Sequence, residues 1–192
     1  MIDWSTVEIE DKHVTALRLL LREGPDAWQR LQDEAMMSDQ AAAGYMQMFH
    51  AAFSVAVRRK FTPDHSVHEV VRYVAELRIE LKKHSNEDLS PRIAENAIRG
   101  SLGNAALQKE NEALVDEDIK NLEHLMTAES LVLFDVLLTE EKSGEGEVEA
   151  YVREATDLAR RWVSEKQDAQ AEERGSAGEP FSPGTVSEPG PA

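Results

Sequence analysis

Residues 45–81, YMQMFHAAFSVAVRRKFTPDHSVHEVVRYVAELRIEL, hold two apolar patterns parted by one polar break, Thr62-Pro63-Asp64-His65. On the first arm Met46, Phe49, Phe53 and Val57 recur three or four residues apart. On the second, Val67, Val70, Val74, Leu77 and Leu81 do the same. That spacing gathers side chains on one face of an α-helix, whereas a half-buried strand would alternate. The stretch predicts a central antiparallel helical hairpin.

Its ends carry their own signals. Arg58-Arg59-Lys60 occupies the last turn of the first arm, where cations suit the negative end of the helix dipole. Pro63 stops that arm, and Ser66-Val67-His68-Glu69 has the spacing of a capping box that opens the second. Lys82-Lys83-His84 closes it. With Tyr45, Ala52, Ala56 and Phe61 beside its stripe, the first arm has an apolar face wide enough for two neighbours.

On the N-terminal side, Ser38 or Asp39 is placed to cap the hairpin, ahead of the strongly helix-forming Ala41-Ala42-Ala43. A first helix is predicted from about Glu8 to Glu23, with Ile9, His13, Ala16, Leu17, Leu20 and Leu21 on one side and Gly24-Pro25 ending it. Pro25-Asp26-Ala27 opens a short second helix along Trp28, Leu31 and Ala35.

On the C-terminal side, Ser85 to Leu89 reads as loop. Ser90-Pro91 then starts a helix whose buried face, Ile93, Ala94, Ala97, Ile98 and Leu102, is mostly small, which predicts close packing against the hairpin before Gly103-Asn104. Leu107 to Val115 is polar and poorly periodic and reads as a connection with room for a turn of helix. Asp116 is the candidate cap of the next helix, which runs through Ile119, Leu122, Leu125 and Met126 into the apolar run Leu131 to Leu138. That run has strand character, but the chain offers it no second strand for pairing, so a buried helix is expected. After Ser143-Gly144-Glu145-Gly146 a last helix spans about Glu147 to Gln170, with Tyr151, Val152, Ala155, Leu158, Trp162 and Val163 on one face.

The fold expected is an all-α bundle of about six helices in one domain over residues 1–171. A disordered tail rich in proline, glycine and glutamate follows over 172–192.

Composition narrows the chemistry. The 192 residues include no cysteine, so thiolate catalysis, Cys-ligated zinc and disulfides are excluded. The N-terminus lacks the pattern of a secretory signal, and no apolar run approaches the ~20 residues that span a bilayer, so a soluble cytoplasmic protein without membrane contact is expected. The net charge of −16 is unevenly spread: thirteen acids face two lysines between Glu110 and Glu149, while nine bases outnumber seven acids between Arg58 and Arg99.

The basic middle raises the question of nucleic acid. Arg58, Arg59, Lys60, Arg72, Arg92 and Arg99 lie there, but the break from His84 to Ser90 exceeds the three- or four-residue turn of a helix-turn-helix, and the acidic half repels phosphates. His65 and His68 suggest a metal pair, yet His65 precedes the cap, and His84 lies about 24 Å from His68 along a straight helix rising about 1.5 Å per residue. No cofactor or metal is assigned. A di-iron bundle needs two Glu-x-x-His pairs, and only Glu10 to His13 is present. Neither a nucleophile elbow nor a phosphate loop occurs, since Gly100-Ser101-Leu102-Gly103 lacks the lysine that the latter requires. Glu129 and Asp135, inside the apolar helix, are candidate buried acids, with solvent-edge or arginine-paired positions as the alternative.

The leading expectation is a non-enzymatic regulatory or adaptor protein that works through protein contacts, with a homodimer as one form and the exposed-looking Trp4 as one feature of the surface. Its candidate interaction residues are Arg58, Arg59, Lys60, His65, His68, Arg72, Arg92 and Arg99. Two alternatives stand beside it, a DNA-binding regulator that uses the basic middle and a ligand-sensing bundle with a pocket between its aromatic helices.

Overall fold

The computed structural model describes residues 2–24, 38–62, 65–84, 88–139 and 145–176. Within them a 3-10 turn, Trp4–Thr6, precedes seven helices: α1 Asp11–Glu23, α2 Asp39–Phe61, α3 Val67–His84, α4 Pro91–Ser101, α5 Ala105–Glu117, α6 Ile119–Thr139 and α7 Glu145–Ser176. The described residues include no strand, and residues 131–138 are helical within α6, as the pairing argument required. The helix predicted over residues 25–35 and the chain beyond 176 lie outside the described residues.

The capping signals act as their chemistry dictates. Ser38 Oγ accepts the Ala41 N–H at 3.1 Å. Ser66 and Glu69 close a reciprocal box, the Glu69 N–H reaching Ser66 Oγ at 3.2 Å and the Ser66 N–H reaching Glu69 Oε2 at 2.7 Å. Ser90 caps α4 with Pro91 in the first turn. At α6 the cap is Asp118 rather than Asp116. Its Oδ1 accepts the Lys120 N–H at 2.9 Å, while residue 116 belongs to the last turn of α5.

α2 is the axis of the bundle. It packs against α1, α4, α6 and α7, and every residue from 51 to 57 is buried. The sequence suggested two neighbours. Ala51, Ala52 and Ala56 between the large side chains let helices close in from more sides than a single stripe implies. The second arm is correspondingly less central than expected. α3 packs chiefly on α4 and meets α2 at the corner, where the Phe61 and Tyr73 rings lie 5.3 Å apart and Lys60 Nζ sits 4.5 Å from the centre of the Tyr73 ring.

Leu89 lies outside any helix, in the stretch read as loop, and is buried at 1% exposure in the core just ahead of α4. Trp4, read as exposed, is half-buried. It packs beside Val7, Ala43 and Val163, with Lys166 Nζ 4.5 Å from its ring centre. α7 reaches Ser176, beyond the Gln170 end predicted, and the N-terminal segment lies along it: Gln167 Nε2 donates to Trp4 O and Val7 O, Gln170 Nε2 to Ile2 O, and Arg174 pairs with Asp3 at 3.1 Å. Among the described residues no helix is long and apolar enough to cross a membrane.

Candidate ligand pocket

One register on from the apolar stripe of α2 lies a polar one. His50, Ser54 and Arg58 are spaced four residues apart, so they form a single row along the helix. They make one wall of a cavity of about 290 Å³. Asn96, Ala97, Gly100 and Ser101 of α4 form a second wall, and Gln108, Asn111, Glu112 and Val115 of α5 a third. Leu125 of α6 and Trp162 of α7 complete it.

The third wall corrects a sequence expectation. Residues 105–117 form a capped helix, with Asn104 Oδ1 accepting the Leu107 N–H, and not a connection. Leu107, Glu110, Asn111, Leu114 and Val115 point inward at true helical spacing. The pattern was hard to read because two of the five are polar. Glu110 receives Arg92 at 2.7 Å and Asn96 Nδ2 at 3.0 Å, and the Arg92 hydrogen bond, with that of Asn96, holds its carboxyl below the usual range. Asn111 faces the cavity.

Asn111 is only 5% exposed. Its Nδ2 donates to Ile93 O at 3.3 Å, which fixes the orientation of the amide and leaves Oδ1 as a buried acceptor that no described group satisfies. An orphaned acceptor of this kind is unfavourable unless something brings it a donor.

At the other wall, His50 Nδ1 donates to Glu129 Oε1 in a short hydrogen bond. Glu129, at 2% exposure, is the most deeply buried acid among the described residues. The imidazole sits between Phe53 and Trp162, with ring centres 5.9 and 5.2 Å away. Burial opposes the charging of His50, but the charge and hydrogen bond of Glu129 outweigh it, so the pKa lies above the ordinary 6.5. Lys166 works against this rise and Glu112 supports it. The carboxylate thus makes His50 a charge-assisted donor whose other ring nitrogen is not engaged by Glu129. Ser54 Oγ and Ser101 Oγ lie 3.0 Å apart, and Arg58 Nε donates to Ser101 O at 3.3 Å.

The candidates named from sequence are mostly dispersed and paired. Arg59 meets Glu154 at 3.2 Å, Lys60 meets Asp135 at 2.8 Å, and Arg92 holds Glu110. Arg72 stands 3.9 Å from Glu76 in an exposed pair. His65 and Arg72 border an open groove with Lys60, Glu69 and Tyr73, Arg99 borders a shallow one with Val67 and Asn104, and His68 is exposed. Of the eight, Arg58 alone lines the cavity. Among the described residues no three His, Asp or Glu side chains cluster as a metal site.

Of the two acids flagged in α6, Glu129 is buried, but against a histidine. Asp135 is half-buried and receives Tyr73 Oη at 2.8 Å as well as Lys60. Burial, together with that carboxylate, keeps the Tyr73 phenol well above its ordinary range. His50, Ser54, Asn96 and Asn111 escaped the sequence reading. The available signal was the four-residue recurrence of 50, 54 and 58, which resembles any solvated helix face. Comparison with protein-family models, curated proteins and solved structures finds no match to this chain.

Proposed function

We propose that this protein is a non-enzymatic regulatory protein whose helical bundle senses a small molecule in the cavity between α2, α4 and α5. The observation that carries the reading is the convergence of a half-buried donor at His50, backed by the Glu129 carboxylate, and an unsatisfied buried acceptor at Asn111 on one partly apolar cavity. Binding sites combine apolar lining with a few convergent polar groups in this way, and a volume near 290 Å³ falls just below their ~300–1,000 Å³ range, which suits a small ligand.

The same geometry supports binding over hydrolysis. A serine nucleophile needs a base within hydrogen-bond reach to take its proton. Ser54 is engaged with Ser101 instead. The ion pairs made by Arg59, Lys60 and Arg92 weigh against a nucleic-acid face, because paired cations offer phosphates little free charge.

A second reading, the adaptor, has its own support. Val67, Val71, Ala75 and Ile79 form a four-residue-spaced row on the outside of α3, with Val67 53% and Ile79 60% exposed. Exposed apolar rows of this sort serve as protein contacts.

A fragment screen by ligand-observed NMR separates the two. Sensing predicts hits on the wild-type chain that vanish when Ala97→Phe fills the cavity while the melting temperature is retained. Hits that persist in the filled variant lie elsewhere and overturn the sensing reading.

A further inference from the structure

Resting on the sensing reading, we infer that the cavity is built for a zwitterion of the free α-amino-acid class, its carboxylate held by His50 and Arg58 and its ammonium by Asn111 and Glu112. The argument is one of polarity across the cavity. The wall supplied by α2 carries His50, Ser54 and Arg58, with the Arg58 guanidinium as its fixed cation. The wall supplied by α5 presents acceptors: the Asn111 Oδ1 that lacks a donor, and the Glu112 carboxylate next to it in sequence.

A purely anionic ligand would face Glu112, and a purely cationic one would face Arg58. A neutral apolar ligand would leave the buried Asn111 Oδ1 without a donor. A molecule with opposite charges one carbon apart satisfies both walls at once. Glu129 stands behind His50 and engages its Nδ1, so the ligand's carboxylate meets Arg58 as the cation without a carboxylate partner of its own within the cavity. The remaining lining, Trp162, Leu125, Val115 and Ala97, offers the side chain of such a ligand an apolar surface. The volume, about ten times the ~30 Å³ that a water molecule occupies in the liquid, suits a molecule of this size.

The test measures binding to the full chain by calorimetry with the free L-amino acids, each beside its methyl ester and its N-acetyl derivative. At least one free amino acid is expected to bind with a dissociation constant of about 1 mM or tighter and to lose about tenfold or more on esterification and on acetylation. Asn111→Leu is expected to weaken that binding by about tenfold, and the exposed Arg58→Gln and Glu112→Gln to do likewise. Because these last two sites bear little on stability, failure to fold does not blur the result.

Absence of binding by every free amino acid, or esters and acetyl derivatives that bind as tightly as their parents, overturns the assignment. If neutral fragments nevertheless occupy the cavity and are lost in Ala97→Phe, the sensing reading survives and the zwitterion alone falls. If neither class binds, both fall.

Discussion

Two histidines mark two kinds of construction in this bundle. His13 sits at the sealed corner between α1 and the first turns of α2, wholly buried, with its Nδ1 accepting the Glu10 N–H at 3.1 Å and its ring edge-on to Tyr45. Burial is the main cause that holds its pKa below the ordinary value; Glu10 opposes this and Lys12 adds to it. His50, one face round on α2, has its pKa raised by a buried carboxylate and borders a cavity. One imidazole is a structural plug whose charged form burial disfavours, and the other borders a cavity with its charged form favoured by an adjacent acid. What separates them is the company each keeps, apolar packing and a backbone amide in one case, an acid and open space in the other.

The hardest blow to the sealed corner is Gly44→Ala. A Cβ there would lie 2.5 Å from Glu8 O and 2.8 Å from His13 Cε1, and the first of these contacts is backbone that cannot rotate away. Overpacking of this sort costs about 1–3 kcal/mol, and the upper end is expected here. At ~2–4 °C per kcal/mol for a chain of this size, the melting temperature should fall by roughly 6–12 °C. A variant that melts with the wild type would show that α1 is not seated on α2 as described.

Next in size is Glu129→Gln at the open site. Loss of a charged, buried hydrogen bond is expected to cost about 2 kcal/mol at mildly acid pH. The pH dependence matters more than the size, because the two histidines have opposite signs. A raised folded pKa means that the stability from His50 is present below about 6.5 and is lost as pH climbs through the folded value. For His13, with a lowered folded pKa, stability is present above about 6.5 and erodes as pH falls. Removal of Glu129 strips His50 of the partner that raised it and leaves burial and Lys166 to depress it. Melting curves from about pH 5 to 8 should then lean more steeply towards stability at high pH in Glu129→Gln than in the wild type. Parallel profiles would mean that Glu129 does not favour the charged form of His50.

The contrast also marks where sequence is readable. Apolar recurrence and local capping identify elements directly. Ser66 and Glu69 lie three residues apart and meet as the motif requires, so Ser66→Ala should cost about 1 kcal/mol in thermal or urea melts, with unchanged melting as the contrary result. His13 fell on the predicted apolar side of the first helix and is buried there. The cavity is a different matter. Its His50–Glu129 bond joins residues 79 positions apart, and its α5 wall interrupts an apolar stripe with Glu110 and Asn111. Polar residues at helical spacing look alike from sequence whether they face water or a cavity, and only the packing of α4 and α5 against the axis tells the two apart.

The smallest expected effect makes the sharpest comparison. Asn111→Leu removes one hydrogen bond to Ile93 O and, with it, a buried acceptor that lacks a donor. Replacing an incompletely satisfied polar group by an apolar one of similar volume is close to neutral, so a stability change within about 0.5 kcal/mol of zero is expected. The same exchange made at His13 would be costly, because its Nδ1 accepts the Glu10 N–H at the start of α1 and its ring packs edge-on to Tyr45. Residues that can be exchanged without loss of stability, yet occupy buried positions as polar groups, are those held there by something other than folding. Urea melts of Asn111→Leu beside the wild type measure this directly. A loss above about 2 kcal/mol would place Asn111 with His13 among the structural residues and remove the ligand acceptor from the α5 wall.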